Sequence, residues 1–247
     1  MYPKFGFLQV IYQYICSSDS KLYINYLRRK GVIIGEGTRF FGRSTVDITR
    51  PLLVEIGRNC MIANNTSILT HGFDWSVLRE KYGEVLGSSG KVVLEDNVFV
   101  GTNTIILKGV RIGRDSIVGA GSVVTSDIPA GSVAAGNPCK VIMTIDQYYQ
   151  NRKKKFIDEA KAYAREIFIK TGKIPCQDEF WEEFPIFLNR DGDWGKIPVE
   201  FQTGSAFINF LKSKPIYSSY EEFLIDAGIP SEEIDKQSLN KEKVATP

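Results

Sequence analysis

The 247-residue sequence contains a single histidine, His71, and this scarcity excludes several kinds of active site. A zinc site of three histidines and the HExxH site of metalloproteases both need more than one imidazole. The sequence also lacks a P-loop and a GxGxxG segment, the usual glycine-rich nucleotide-binding motifs. We therefore expect no metal site, and any chemistry that needs an imidazole at neutral pH must use His71.

Net charge, paired cysteines and long apolar runs are equally scarce. The 31 basic and 29 acidic residues nearly cancel, which gives no electrostatic reason to expect a nucleic-acid partner. The four cysteines show no CxxC spacing and indicate reduced thiols in a cytoplasmic protein. No apolar run reaches the ~18 residues that span a bilayer, and residues 5–16 lack the flanks of a signal peptide. We expect at most peripheral membrane association.

What the sequence has instead is a six-residue repeat across residues 94–129. Aliphatic residues recur at every sixth position: Leu94, Val100, Ile106, Ile112, Val118 and Val124. Glycine directly follows Val100, Ile112 and Val118, where the chain must turn beside a stacked neighbour and a Cβ would be costly. Period six fits neither a helix nor a simple strand. It predicts short strands joined by tight turns, in units that bury their faces only by stacking.

The hexads begin near Ile34 and are interrupted twice before residue 94. The first interruption follows Leu52, the hexad position after Val46, because Ile56 comes only four residues later. This slip predicts a short or distorted turn near Pro51. The second interruption is a polar loop over residues 71–91 that ends in GSSG. A long loop in a repeat array is usually functional.

Helical segments are predicted on both sides of the repeat domain, which covers residues 31–144. Residues 1–30 have helical spacing and N-cap candidates at 17–20, and we expect them to cap the first coil, whose strand edge would otherwise be open. Residues 145–247 form a third, mostly helical domain that begins with a helix over 146–171. Its basic run at 152–155 is expected on a solvated helix face.

A family resemblance extends over residues 92–142, which contain the segments GAGSVV, DIPAGSVAAGNP and KVI in family order and spacing. This stretch resembles the hexapeptide-repeat acyltransferases, in particular the maltose and galactoside acetyltransferases and the polysaccharide O-acetyltransferases. The resemblance implies a mainly β fold, a left-handed parallel β-helix with three hexads per coil. It also implies an acetyl-CoA-dependent enzyme that forms a homotrimer with active sites between adjacent subunits.

The resemblance places the catalytic chemistry at His71, where the family keeps its catalytic histidine. An imidazole, with a pKa near ~6.5 in water, suits the removal of a proton from an acceptor hydroxyl. Its other ring nitrogen must be held, and Asp74 or a backbone carbonyl is expected to hold it. Asn65 matches a family asparagine that contacts acceptor or intermediate; the alternative is an asparagine that satisfies a turn.

The same resemblance assigns the coenzyme contacts, for which ordinary turn geometry is the alternative. The positions are Thr102, Ala120, Thr125 and Lys140. Ser126 and Met143 depart from basic residues that relatives carry at these places. In the inserted loop we expect Trp75 and Tyr82 to stack on a sugar and Arg79 to bind a hydroxyl or carboxylate; the alternative for these three is packing.

These features favour an O-acetyltransferase that acts on a sugar hydroxyl of a surface polysaccharide, such as capsule or O-antigen, or of its precursor. The attack would be direct, because Cys60 and Cys139 have no second histidine to activate them as nucleophiles. Two alternatives stay open. One is an N-acetyltransferase for a nucleotide-linked amino sugar, and the other is a non-catalytic β-helix that serves as an assembly scaffold.

Overall fold

The computed structural model describes residues 19–190, 192 and 194–234. The chain divides into two compact units, Met1–Tyr149 and Gln150–Pro247. The last strand ends at Thr144 and the next helix begins at Ile145, so the division between the units falls inside that helix. The two units are described separately below.

The first unit is a parallel β-helix in which each of the first four coils contributes one strand to each of three sheets. The first sheet contains β1 (Ile33–Ile34), β4 (Val54–Ile56), β9 (Val92–Leu94) and β12 (Arg111–Ile112). The second sheet contains β2 (Arg39–Phe40), β5 (Met61–Ile62), β10 (Phe99–Val100), β13 (Ile117–Val118), β15 (Ser132–Ala135) and β16 (Lys140–Thr144). The third sheet contains β3 (Thr45–Val46), β6 (Ser67–Ile68), β11 (Ile105–Ile106) and β14 (Val123–Val124). The predicted parallel β-helix is confirmed, and its left hand stays a prediction of the resemblance.

The hexad positions form the core of this unit. All six aliphatic residues from Leu94 to Val124 are buried, and Leu94, at 1% exposed, is the least so. Each stacks on its equivalent in the neighbouring coils; Val100, for example, is in register with Ile62 and Val118. Burying one such side chain contributes roughly 1.5–3 kcal/mol. The predicted stacking of these hexads is confirmed.

Glycine is required where turns of successive coils touch. A Cβ on Gly101 would lie 2.4 Å from the backbone nitrogen of Ala120, and one on Gly113 would lie 2.3 Å from that of Ala130. Atoms cannot approach this closely, so any larger residue would push the coils apart. The glycines that follow the hexad positions therefore set the stacking distance.

The first interruption of the hexads differs from the prediction. Leu52 is 75% exposed and lies in a 3-10 turn, Pro51–Leu53, so it is not a core position. The inward residue after Val46 in the hexad sequence is in fact supplied by β4, at Ile56. The turn near Pro51 is therefore longer than a hexad turn, not shorter, because residues 47–53 form an extra connection out of the third sheet.

The second interruption is a hairpin with a helix rather than a loop. β7 (His71–Gly72) pairs antiparallel with β8 (Ser88–Ser89), and α2 (Trp75–Tyr82) lies between them in the chain. The GSSG segment, predicted to end a loop, thus contains a strand. No residue of α2 is buried. The first unit leaves this helix exposed.

Both interruptions leave the third sheet at the same corner, because Val46 and Ile68 are register partners in successive coils. We call this the His71 corner, which comprises residues 47–53, 69–91, 107–110 and 125–127. The corner on the other edge of the third sheet has no interruption. We call it the Asn65 corner, which comprises residues 41–44, 63–66, 101–104 and 119–122.

Helix α1 (Ser20–Lys30) lies against the first coil. The Asp19 carboxylate caps it by accepting the Leu22 N–H at 2.8 Å. Tyr23 is fully buried and its hydroxyl donates to the Ser44 carbonyl at 2.7 Å. Burial raises the pKa of Tyr23 to about 12. The first part of the predicted cap, residues 1–18, lies outside the described residues.

The second unit is helical, as predicted for the C-terminal part. Its helices are α3 (Ile145–Thr171), which begins in the first unit, α4 (Val199–Thr203), α5 (Phe207–Lys212) and α6 (Tyr220–Asp226). Aromatic rings dominate its core, with Phe180 packed edge-on against Phe187 and Phe223. No helix among the described residues combines the length and apolar character needed to cross a bilayer. The polar stretch from residue 235 onward lies outside the described residues.

Candidate active site

His71 is held by a carboxylate from the preceding coil. Its side chain is 17% exposed, and its Nδ1 lies 2.6 Å from Oδ2 of Asp47. Asp47 follows β3 at the His71 corner, so it comes from the first interruption of the hexads. Because an ionised carboxylate can only accept, Nδ1 of the neutral ring carries the proton and Nε2 has the free lone pair. This is the tautomer that a general base at Nε2 needs.

Asp47 is itself surrounded by donors. Its Oδ1 accepts from the backbone N–H and the hydroxyl of Thr49, at 2.9 and 2.6 Å. Its Oδ2 accepts from the Thr70 hydroxyl at 2.5 Å and the Thr70 N–H at 3.2 Å. Burial alone would raise the pKa of Asp47, but the hydrogen bonds from Thr49, Thr70 and His71 outweigh it and lower the pKa well below its usual range. Asp47 is therefore ionised at neutral pH.

Sequence reasoning did not find Asp47 or Thr49 as site residues. The available signal was the break in the hexads just after Val46, which falls one coil before the break that begins near His71. Two breaks at the same corner of stacked coils bring their residues together, because successive coils lie ~4.8 Å apart. Spacing along the chain alone gives no such contact.

Asp74 does not orient His71, and this corrects the expectation from sequence. Asp74 precedes α2, and its Oδ1 accepts from the Ser88 hydroxyl at 3.2 Å and lies 4.0 Å from Nζ of Lys108. Its own side chain caps no N–H of α2. Within the described ranges no three His, Cys, Asp or Glu side chains gather as a metal site would require.

The predicted acceptor residues all lie on α2, and one of them is linked to His71. The Phe73 ring packs edge-on against the imidazole, with centroids 5.2 Å apart, and the Trp75 ring lies 6.3 Å beyond it. The Arg79 guanidinium lies over Trp75 at 5.5 Å and pairs with Glu80. The structure thus brings Trp75 and Arg79 together.

Tyr82 is exposed at the far end of α2, where the ammonium of Lys81 lies over its ring at 5.0 Å. None of the contacts within the described chain joins Tyr82 to His71. Phe73, which lies between the imidazole and Trp75, was not predicted from the sequence. The sequence feature that could have identified Phe73 is its position two residues after His71.

Asn65 lies at the Asn65 corner in a left-handed turn, with φ 59°. Its N–H donates to the Arg43 carbonyl of the coil before, at 2.6 Å. Thr102 and Ala120 lie at the same corner in the next two coils, where the Thr102 carbonyl accepts from the N–H of Gly121 at 2.8 Å. Thr102 and Ala120 are thus equivalent positions of successive coils, and Asn65 lies one position further along the turn of the coil before.

The other two predicted coenzyme residues lie elsewhere. Thr125 is exposed at the His71 corner after β14, and Lys140 is exposed at the start of β16, opposite Ala135. One chain thus places the predicted residues on the two edges of the third sheet, with Asn65 on one edge and His71 on the other. The sheet itself, through strands such as β6, separates the two edges.

The comparisons with known proteins agree with this architecture. Two family models match, "Bacterial transferase hexapeptide (six repeats)" over residues 91–126 and "Hexapeptide repeat of succinyl-transferase" over residues 31–70. The putative acetyltransferase YvoF of Bacillus subtilis (strain 168) is 33% identical over 164 residues, which are 62% of this chain and 88% of YvoF. The chain therefore belongs to the hexapeptide-repeat acyltransferases and is an enzyme of that class, as the resemblance implied.

One further curated relative and one solved structure are similar to this chain. Galactoside O-acetyltransferase of Escherichia coli (strain K12) is 37% identical over 134 residues, which are 53% of this chain and 63% of that protein. The match thus spans less than two thirds of the relative's length. The crystal structure of the hexapeptide-repeat acetyltransferase VCA0836 from Vibrio cholerae is 21% identical, with a TM-score of 0.46 over 55% of this chain and 88% of that chain.

Proposed function

We propose that the protein is an O-acetyltransferase that moves the acetyl group of acetyl-CoA to a sugar hydroxyl, with His71 as general base. The observation that carries this proposal is the 2.6 Å contact between His71 Nδ1 and Asp47 Oδ2. Nε2 takes the proton of the acceptor hydroxyl while its oxygen attacks the thioester carbonyl. When the tetrahedral intermediate collapses, the carbon–sulfur bond breaks and the imidazolium returns the proton to the leaving thiolate.

Asp47 supports both halves of this proton transfer. Its charge stabilises the imidazolium that forms during attack, while its contact with Nδ1 keeps Nε2 unprotonated beforehand. A direct attack is supported by the cysteines of the β-helix, because burial raises the pKa values of both Cys60 and Cys139. A thiol with a raised pKa is a poor nucleophile at neutral pH.

We place the coenzyme between subunits of a homotrimer, along Thr102, Ala120, Thr125 and Lys140, with Asn65 as a contact to acceptor or intermediate. The separation of Thr102 and Ala120 from Thr125, which lie at opposite edges of the third sheet, supports a shared site, because one chain does not bring these residues together. Self-association is supported by exposed apolar side chains on the insertion, among them Phe73, Val77 and Leu86. Sedimentation should show a trimer at micromolar concentration, and a monomer would contradict the shared site.

We propose that the acceptor is a surface polysaccharide or its precursor, handled in the cytoplasm, with Trp75 and Tyr82 as stacking platforms and Arg79 as a polar contact. The chain of rings from His71 through Phe73 to Trp75 supports a sugar at this place, because an aromatic face complements the apolar face of a pyranose. The name of the E. coli relative, a galactoside O-acetyltransferase, also supports a sugar acceptor.

The experiment that tests the proposal is coenzyme A release from acetyl-CoA in the presence of matched neutral sugars and amino sugars. O-acetyltransfer requires release with neutral sugars, and His71→Ala should abolish it. Release with amino sugars alone would establish the N-acetyltransferase alternative. A scaffold would bind no acetyl-CoA, so calorimetry without acceptor separates that alternative from both enzymes.

A further inference from the structure

The His71 corner holds a lysine that the proposed mechanism does not use. Lys108 lies between β11 and β12, one coil beyond His71. Its Nζ donates a hydrogen bond to the Ser88 hydroxyl at 2.7 Å, and this bond joins Lys108 to the inserted hairpin. A Cβ on Gly72, the residue after His71, would lie 3.3 Å from this Nζ. The ammonium is therefore next to Gly72, the residue that follows His71.

The neighbours of Lys108 leave some of its hydrogen-bond donors without a partner. An ammonium has three donors, and Ser88 takes one of them. The Asp74 carboxylate lies 4.0 Å away, which is beyond hydrogen-bonding distance, and it is 61% exposed, so water screens much of its attraction. The Lys108 side chain is itself 36% exposed. Its remaining donors face the space beside Gly72.

A second cation of the His71 corner, Arg50, lies in the coil before His71. Arg50 follows Thr49, whose hydroxyl is 3.4 Å from Nδ1 of His71. The carbonyl of Arg50 accepts from the Leu53 N–H at 3.0 Å, and the Arg50 side chain is exposed. The carboxylate of Asp47, in contrast, is already matched by donors from Thr49 and Thr70. Arg50 in the coil before His71 and Lys108 in the coil after it are thus two cations of this corner.

We propose that Lys108 determines acceptor specificity by binding a carboxylate or a phosphate, so that the acceptor is an anionic sugar. The inference rests on the proposed function and names its substrate class. A pyranose that presents one hydroxyl to His71 carries its carboxylate or phosphate within reach of a neighbouring side chain. A lysine ammonium suits either anion, because it acts as a point charge. Arg50 strengthens the positive potential that attracts such a sugar.

The experiment compares matched sugars that differ only in charge. Methyl glucoside and methyl galactoside are paired with their uronic acids, and glucose and galactose with their 1-phosphates. We expect the wild-type kcat/KM to favour an anionic member by about 10-fold, the size of one charge-assisted contact. The carboxylate and phosphate pairs identify which anion is bound. Added salt should reduce the preference.

Two variants separate recognition from structure. Lys108→Gln should abolish the preference while kcat/KM for the neutral sugar and the KM for acetyl-CoA stay unchanged. Ser88→Ala removes the contact that Lys108 makes with the hairpin but keeps its charge, so it should keep the preference. Equal loss for neutral and anionic sugars in Lys108→Gln, or no preference in the wild type, overturns the assignment of Lys108. Coenzyme A release with none of the sugars overturns the proposed function instead.

Discussion

The Asn65 corner and the His71 corner border the same sheet and join strands of the same hexads, yet their turns differ in length and in the residues they contain. At the Asn65 corner every turn is short, and residues are chosen for stacking: Asn65 and Asn103 are both left-handed, with φ 59° and 60°. At the His71 corner two successive turns are replaced by longer segments, which supply Asp47 and His71. The short turns of the Asn65 corner fix the distance between coils, and that distance brings Asp47 and His71 into contact at the His71 corner.

The longer segments are needed because a buried carboxylate is costly unless donors surround it. In a hexad turn the backbone N–H groups donate hydrogen bonds to the neighbouring coil, as the Asn65 N–H does to the Arg43 carbonyl. The segment 47–53 instead provides the N–H and hydroxyl of Thr49 to Asp47. Extra residues at a corner thus allow an ionised group to lie 7% exposed beside an imidazole.

The largest effect on catalysis should come from a substitution at the His71 corner. We expect His71→Ala to lower kcat by about 10²- to 10⁴-fold, the usual contribution of a general base. The affinity for acetyl-CoA should be unchanged, since the lost interaction belongs to the transition state. Steady-state kinetics with calorimetric binding measure both quantities. A variant that keeps a third of the wild-type kcat would show that the chemistry lies elsewhere.

Asp47→Asn tests the partner from the first interruption. An asparagine can donate to Nδ1 and thereby stabilise the tautomer that carries its proton on Nε2, so we expect kcat to fall by about 10²-fold with the KM for acetyl-CoA unchanged. Asp74→Asn is the control and should leave kcat close to wild type. Equal effects of the two substitutions would contradict the assignment of Asp47.

The same substitution has a consequence for stability against acid. The pKa of Asp47 is lowered in the folded protein, so its ionised form stabilises the fold above the unfolded pKa of about 3.9, and this contribution is lost as the pH falls through the folded pKa. Asp47→Asn should therefore destabilise the protein at neutral pH and flatten the acid side of its stability profile. Thermal unfolding at several pH values measures this.

The scaffold was predictable because its pattern is local and repeated. Each hexad places one aliphatic residue inward, as Val100 and Ile106 do, and no contact distant in sequence has to be known. Leu52 misled the same reasoning, since it continues the period by chance and lies in a 3-10 turn. Periodicity identifies a core position only where the coil itself continues.

The site was predictable only in part, for the opposite reason. His71 is unique in the sequence and lies at a break in the pattern, which made it a candidate site residue. Its partner Asp47 comes from another coil, at a separation of 24 residues, and only the stacking register brings the two together. Asp74 is close in sequence, but the hairpin directs it to Ser88 and Lys108. Proximity along the chain was the wrong guide at this corner.

Substitutions at the Asn65 corner should lower the stability of the fold rather than the rate of catalysis. A Cβ at Gly101 overlaps the backbone of Ala120, so we expect Gly101→Ala to lower the free energy of unfolding by about 2 kcal/mol. Gly87, in the inserted hairpin, has nothing within 4 Å of the place of its Cβ. Gly87→Ala is the matched control and should change unfolding by less than about 0.5 kcal/mol. Chemical denaturation compares them, and a neutral Gly101→Ala would show that the coils can separate at this point.

The smallest expected effect on catalysis tests whether the Asn65 corner has a role besides the stacking of coils. Asn65 and Asn103 have the same left-handed conformation in successive coils, and the N–H of each donates to a carbonyl of the coil before, Arg43 and Asn64 respectively. Glycine accepts this conformation without strain, so neither Asn65→Gly nor Asn103→Gly should cost stability, whereas alanine should cost about 1–2 kcal/mol at both positions. If Asn65 contacts the acceptor or the intermediate, Asn65→Gly should lower kcat/KM by about 5- to 10-fold, the loss of one hydrogen bond, while Asn103→Gly should not. Identical behaviour of the two glycine variants would make Asn65 a turn residue and leave the reactive groups on the interrupted corner alone.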